Sequence, residues 1–206
     1  MKVYGHPMST CTRKVLTTLA EKGHEASFEL VDLSKGQQKS PQYMAKHPFG
    51  VVPYFEDNGF TMYESRAIIR YLDAKLPGTK LTPSDLPSLG RMEQWLSVEQ
   101  SYFTPGCMAI VMELMFKAMR GGGAPDMAKV AKGRDESARA LDAVDRALMT
   151  QAYLAGDTFS LADISWLPYL QYLAATPHGT LITERPHVKA WWQRISTRPS
   201  WKKVVG

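Results

Sequence analysis

The sequence predicts an α/β domain of βαβ-ββα order followed by an all-helical domain. Over the first 78 residues, short runs of β-branched and aromatic residues alternate with apolar positions at helical spacing. From Leu81 to Leu89 the chain is rich in Pro, Ser and Thr, and beyond it no convincing strand pattern returns. The expected division is therefore 1–78, a linker over 79–88, and a helical domain over 89–206.

The first strand is expected at Lys2 to Tyr4, and Val15, Leu16 and Leu19 mark a helix stopped by Gly23. Phe28 and Leu30 mark a second strand, Val52 to Phe55 a third, and Phe60 to Met62 a fourth after the Asp57-Asn58-Gly59 turn. Ser65 opens a helix through Ile68, Ile69 and Leu72, which Leu76-Pro77-Gly78 ends. In the second half, Leu89, Met92, Leu96 and Phe103 share a helical stripe that continues through Met112 and Phe116, with a kink or break expected at Pro105. Gly121-Gly122-Gly123 separates it from a charged helix near Met127 to Leu148, and shorter helices follow near Ser160 to Ala174 and Pro186 to Ser196.

Composition narrows the function. The 206 residues are 44% hydrophobic and 22% charged, as in ordinary globular chains. The net charge of +5 is spread in singles and pairs such as Lys202-Lys203, without the basic face interleaved with aromatics that nucleic-acid binding requires. A small anion suits that mild excess equally well. Two cysteines, Cys11 and Cys107, are too few for a secreted disulfide framework, so a reducing compartment is expected. The longest apolar run, near Met108 to Phe116, is broken by Glu113 and too short to span a bilayer, and no export signal or anchor is visible.

Ser9 falls where the first strand hands over to the first helix. Taken alone, a serine there is an N-cap. The helix start also presents free N–H groups and a positive dipole end, which favour an anionic sulfur over its thiol, and Ser9 could donate a hydrogen bond to it. Lowering a thiol pKa from about 8.5 to about 6.5 is worth roughly 2.7 kcal/mol and makes most of it thiolate at neutral pH. Cys11, beside Arg13, competes as an acidified nucleophile or reads as a small buried residue. Pro53 is either a strand-edge proline or, in a thioredoxin-like frame, a cis proline exposing its neighbour's backbone. Glu64-Ser65 is ordinary acidic capping or a carboxylate site at a helix N-terminus. Ser160-Leu161-Ala162-Asp163 is a capping-box-like start with Asp in place of Glu, and Phe159 and Ile164 are spaced as a hydrophobic staple. Trp166, Trp191, Trp192, Met112, Phe116 and Met119 suit a packed core.

Together these runs resemble the glutathione transferases, most closely their phi class, over nearly the whole chain. The resemblance rests on Lys2-Val3-Tyr4-Gly5-His6-Pro7 with Ser9 and Arg13, Pro48-Phe49-Gly50, Val52-Pro53, Glu64-Ser65-Arg66-Ala67-Ile68, Tyr153-Leu154-Ala155-Gly156-Asp157, Ser160-Leu161-Ala162-Asp163, and Pro186-His187-Val188-Lys189-Ala190-Trp191-Trp192. It implies a thioredoxin-like domain that binds glutathione, followed by a helical domain that receives a small hydrophobic electrophile. It further implies that Ser9 activates the glutathione thiol, that Val52 pairs with the tripeptide backbone beside cis Pro53, and that Glu64 with Ser65 holds the γ-glutamyl end. Lys39 matches the lysine facing the glycyl carboxylate.

Gln38 and Val51 depart from the phi pattern, which has His and Gln at these places. Val51 cannot donate a hydrogen bond, so weaker glutathione binding is expected. The apolar wall for the electrophile is expected from Met8, Cys11, Phe103, Phe116, Met119 and Trp166. The resemblance also implies glutathione as co-substrate with no metal or further cofactor, hydroperoxide reduction and detoxification as further roles, and a cytoplasmic homodimer with Phe49 inserted into the partner subunit. The rival readings are a Cys11-dependent thiol transferase or dehydroascorbate reductase and a non-catalytic carrier of hydrophobic ligands.

Overall fold

A computed structural model describes all residues from Met1 to Gly206, in two compact units. The first contains β1 (Lys2–Gly5), α1 (Thr10–Glu21), β2 (Ser27–Leu30), the short α2 (Pro41–Met44), β3 (Tyr54–Asp57), β4 (Phe60–Tyr63) and α3 (Ser65–Lys75). The sheet order is β2-β1-β3-β4, with β1 parallel to β2 and both other pairs antiparallel. The βαβ-ββα order is as the periodicity predicts. The third strand starts two residues later than expected, after a cis Val52–Pro53 peptide. Pro53 has no N–H to extend the ladder with β1, so regular pairing begins at Tyr54. The hairpin to β4 turns at Asn58 and Gly59, both in left-handed backbone, as a two-residue loop requires.

α1 and α3 pack together, and Val15 and Leu19 of the one and Ile68, Ile69 and Leu72 of the other are all buried. A buried ion pair pins their C-terminal ends. Lys22 Nζ lies 3.0 Å from Asp73 Oδ1 and donates to Thr79 O at 2.7 Å, and Leu81 N–H donates to the same carboxylate oxygen at 3.0 Å.

The second unit, Thr82–Arg198, is helical. α4 (Leu86–Val98), α5 (Thr104–Val111) and α6 (Lys117–Met119) form one continuous path joined by two wide i→i+5 turns, Glu99–Phe103 and Met112–Phe116. The first of these absorbs Pro105. Without its N–H, Pro105 cannot bond the Ser101 carbonyl, and Thr104 N–H reaches back to Glu99 O, so the helix widens where a kink or break was expected. α7 (Met127–Ala147), α8 (Leu161–Ala174), α9 (Thr180–Thr183) and α10 (Pro186–Ser196) follow. α8 is the core: every residue from Leu161 to Leu170 is buried, with α4, α5 and α10 packed against it. Asp163 closes its start, accepting from Ser160 N and Oγ at 2.9 and 2.8 Å, from Leu154 N at 3.0 Å and from Trp191 Nε1 at 2.9 Å. The capping-box reading of this segment is thus widened into a tie between three segments.

Two boundaries differ from expectation. Leu86, within the expected linker, already begins α4, because Asp85 caps it through Ser88 N–H at 2.9 Å. The last helix, α11 (Pro199–Val205), belongs with the first unit, where it lies on α1 with Trp201 buried and Lys203 paired to Glu25 at 2.5 Å. No helix is long and apolar enough to cross a membrane.

Glu113, in the second wide turn, closes the triple-glycine loop by accepting from Asp126 N at 2.9 Å and Lys117 Nζ at 2.8 Å. The Asp126 N–H, then Lys117, hold its carboxyl down from 4.5 to about 2. A carboxyl with a depressed folded pKa adds stability above its unfolded value and loses it as pH falls through the folded one. Glu113→Gln is therefore expected to lower the thermal midpoint at neutral pH, with the gap to wild type narrowing once pH drops below about 4.5 toward 2. A gap that ignores pH would assign the loss to packing.

Candidate active site

Strand register brings the candidate residues of the first unit to one end of the sheet. Tyr4 of β1 pairs with Tyr54 of β3, which pairs with Tyr63 of β4, and Gly5 pairs with Leu30 of β2. The loop to Ser9, the segment leading to Gln38 and Lys39, the Val51–Pro53 loop and the Glu64-Ser65 step all leave the sheet at that edge. α1 and α3 both start there, so two helix N-termini contribute positive dipole ends to the same place.

Ser9 is the N-cap of α1, and its Oγ accepts from Thr12 N–H at 3.2 Å. Accepting that bond leaves the hydroxyl proton available to donate, so capping and thiolate stabilisation are compatible in one side chain. The preceding turn is built to hold Ser9. Its N–H donates to His6 O at 2.9 Å, Met8 N–H donates to His6 Nδ1 at 3.2 Å, and Arg13 Nε donates to Pro7 O at 2.7 Å. Met8 and Cys11 are part-exposed beside it. Cys107, by contrast, is wholly buried with its thiol pushed up by burial, which removes it from nucleophilic chemistry.

The Val51–Pro53 loop is braced from two sides. Tyr43 donates its hydroxyl to Val51 O at 2.9 Å, and burial lifts that phenol to about 12, so it stays protonated. Lys39 Nζ donates to Phe49 O at 3.0 Å. Gly50 has φ +56, and a Cβ there would lie 2.8 Å from Gln38 O and 2.9 Å from Lys39 Cδ, so the loop and the Gln38-Lys39 turn are in contact. Val51 points outward at 46% exposure, while Val52 is buried. The Gln38 Oε1 atom is buried without a protein partner. Glu64 is exposed and sits at φ +71, ψ 104, an uncommon conformation for a residue with a side chain. Its carbonyl accepts from Ala67 and Ile68, its carboxylate makes no capping bond, and Ser65 is buried at the first position of α3.

The wall residues divide. Phe103 and Trp166 are fully buried and stacked on each other at 4.5 Å, and Trp166 Nε1 donates to Trp95 O at 3.2 Å. Their expected place in the wall is corrected: both are buried in the interior of the helical unit, where Phe103 of the first wide turn packs on Trp166 of α8. Phe116 is half-buried against Tyr172, and Met119 is 65% exposed, so these two remain able to meet a ligand.

Sequence reasoning missed an aromatic cluster at the same edge of the sheet. His47 is 1% exposed, its ring parallel to Tyr63 at 4.7 Å and to Tyr43 at 6.3 Å, with Phe49 edge-on at 6.2 Å. Burial pushes the imidazole below its ordinary value, partly opposed by the Glu64 carboxylate. The only signal was position, since His47 directly precedes Pro48-Phe49-Gly50.

This geometry has close counterparts. Residues 1–74 match the glutathione S-transferase N-terminal domain and residues 103–199 the C-terminal domain. The chain is 40% identical over 209 residues to glutathione S-transferase 3 of Zea mays, covering 100% of this chain and 93% of that protein. It is also 40% identical to glutathione S-transferase F10 of Arabidopsis thaliana, covering 96% and 93%. Glutathione transferase F7 of Populus trichocarpa superposes with a TM-score of 0.93 at 41% identity over 98% of this chain and 96% of that one. Glutathione S-transferase I from mais, solved in complex with an atrazine glutathione conjugate, superposes at 0.90 with 31% identity over 99% and 95%. With both domain models matched and these full-length relatives among the F-type, or phi-class, enzymes, the chain belongs to the glutathione S-transferase family, transferases that use glutathione as co-substrate.

Proposed function

We propose that Ser9 holds the sulfur of glutathione as a thiolate and that this chain uses it to attack hydrophobic electrophiles. The observation that carries the reading is the Ser9 hydroxyl at the α1 start, its acceptor side occupied by Thr12 N–H and its proton unspent. The dipole and the free N–H groups there favour the anion, and the Oγ–H donates to it. The thiolate pair then forms an S–C bond while the leaving group departs with its own pair. Val52 pairs with the tripeptide backbone beside Pro53, Glu64 and Ser65 hold the γ-glutamyl end, and Lys39 with Gln38 faces the glycyl carboxylate. Val51, outward and without a donor, contributes only its backbone. Met8, Cys11, Phe116 and Met119 supply the apolar contacts, whose methionines adapt to varied substrates. The same thiolate attacks a hydroperoxide oxygen, giving an alcohol and glutathione sulfenic acid, which a second glutathione converts to the disulfide and water.

The first unit is read as glutathione-binding and the second as electrophile-binding. We also read the protein as a cytoplasmic homodimer acting in detoxification. Phe49 is 64% exposed, and a groove of about 460 Å³, whose lining joins Val98, Tyr102, Pro105, Ala140 and Ala143 to Ser101, Glu136 and Arg139, is read as the receptor for the Phe49 of a second copy. Three assays on wild type and Cys11→Ala test the chemistry: conjugation to 1-chloro-2,4-dinitrobenzene, hydroperoxide reduction and glutathione-disulfide exchange. Conjugation surviving in Cys11→Ala is the expected result. Activity confined to disulfide exchange and lost with Cys11 would overturn the serine mechanism, and inactivity in all three would leave a carrier.

A further inference from the structure

We propose that His47 is a positioning residue for glutathione, its stacked ring setting the loop and the helix start that grip the tripeptide; the inference rests on the glutathione site read above. His47 closes the end of α2's turn, its N–H bonded to Tyr43 O at 2.9 Å and its carbonyl accepting from Gly50 N–H at 2.8 Å. The ring joins three segments. Tyr43 lies on one side at 6.3 Å and carries the hydroxyl that holds Val51 O. Tyr63 lies face-on at 4.7 Å and is the residue immediately before the left-handed Glu64. Phe49, edge-on to both His47 and Tyr63, begins the run to the cis Val52–Pro53 bond, and its carbonyl is where Lys39 is tied.

One ring thus touches the supports of both proposed grips: the Val52 backbone with Lys39 at one side, and Glu64 with Ser65 at the other. The contact is steric and dispersive. Its Nδ1 is buried without a protein hydrogen-bond partner, and the packing of the ring on Tyr43, Phe49 and Tyr63 does the positioning. A cavity in place of this ring would let the Gly50–Pro53 loop and the Glu64 step drift independently, and a ligand held at both ends feels either shift.

Steady-state kinetics with glutathione and 1-chloro-2,4-dinitrobenzene test this. His47→Ala is expected to raise KM for glutathione about tenfold, with kcat and KM for the electrophile within about twofold of wild type. Tyr63→Leu, which removes the stack from the β4 side, is expected to shift the same parameter, and His47→Phe, which keeps a ring, to restore it. The inference is overturned if glutathione KM is unmoved in His47→Ala, if both KM values rise together, or if His47→Phe is as impaired as His47→Ala. Should His47→Ala fail to fold, the contrast between Tyr63→Leu and His47→Phe decides. Glu64→Gln and Ser65→Ala form a separate arm. If they too leave glutathione KM unchanged, the reading of the site itself fails; if they raise it while His47→Ala does not, only the positioning role is lost.

Discussion

Ser9→Ala is expected to cut conjugation roughly tenfold or more at neutral pH, with much of the loss recovered as pH rises. The reason is linkage. A hydroxyl that donates to the bound thiolate lowers the thiol pKa; without it the pKa climbs, and alkaline solvent restores the ionised fraction that the protein no longer maintains. The cap that Ser9 makes on Thr12 N–H has a second, separable consequence. Losing it costs about 1 kcal/mol of stability whatever the chemistry. The discriminating measurement is the midpoint of the pH–rate profile at saturating glutathione, supported by thiolate absorbance of the binary complex. A midpoint that stays in place while stability falls would reduce Ser9 to a cap.

The second large effect lies away from the chemistry, at the Lys22–Asp73 pair. Both side chains are almost wholly buried, at 0% and 2% exposure, and the carboxylate also satisfies Leu81 N–H. Asp73→Ala strands the lysine charge and an amide in the interior, and removing one partner of such a pair typically costs about 3–5 kcal/mol. For a chain of this size that is a fall of roughly 10 °C in the thermal midpoint. Removing both charges with apolar groups, Lys22→Met with Asp73→Leu, is expected to recover much of the loss, since the desolvation cost disappears with the charge. Equal damage in single and double variants would show that the pair acts through its hydrogen bonds to Thr79 and Leu81 instead.

The candidate site was legible in part, for physical reasons that differ by residue. Ser9 and Ser65 could be placed at helix starts because strand-to-helix changes of period are local. Phe103 and Trp166 misled for the opposite reason. An aromatic side chain on a helix has a known direction only when its neighbour is known, and here the two rings, on different helices, pack on each other in the interior. His47 gave no signal beyond its position before Pro48-Phe49-Gly50. It became visible through Tyr43, Phe49 and Tyr63, residues from three segments whose rings meet only after the sheet has formed.

By itself the sequence determined the βαβ-ββα order, the absence of strands after the Pro-rich segment, and the Ser160–Asp163 helix start, because each depends on periodicity or on capping within a few residues. Only the tertiary structure decided where pairing begins after Pro53, that the helix widens at Glu99–Phe103 to carry Pro105, that α11 returns to the first unit, and that Glu64 takes a left-handed backbone. The return of α11 is settled by contact with α1, far away in the chain, and the other three are backbone geometries that residue type permits but does not fix. Short-range preference is too weak to decide such cases, and packing overrides it.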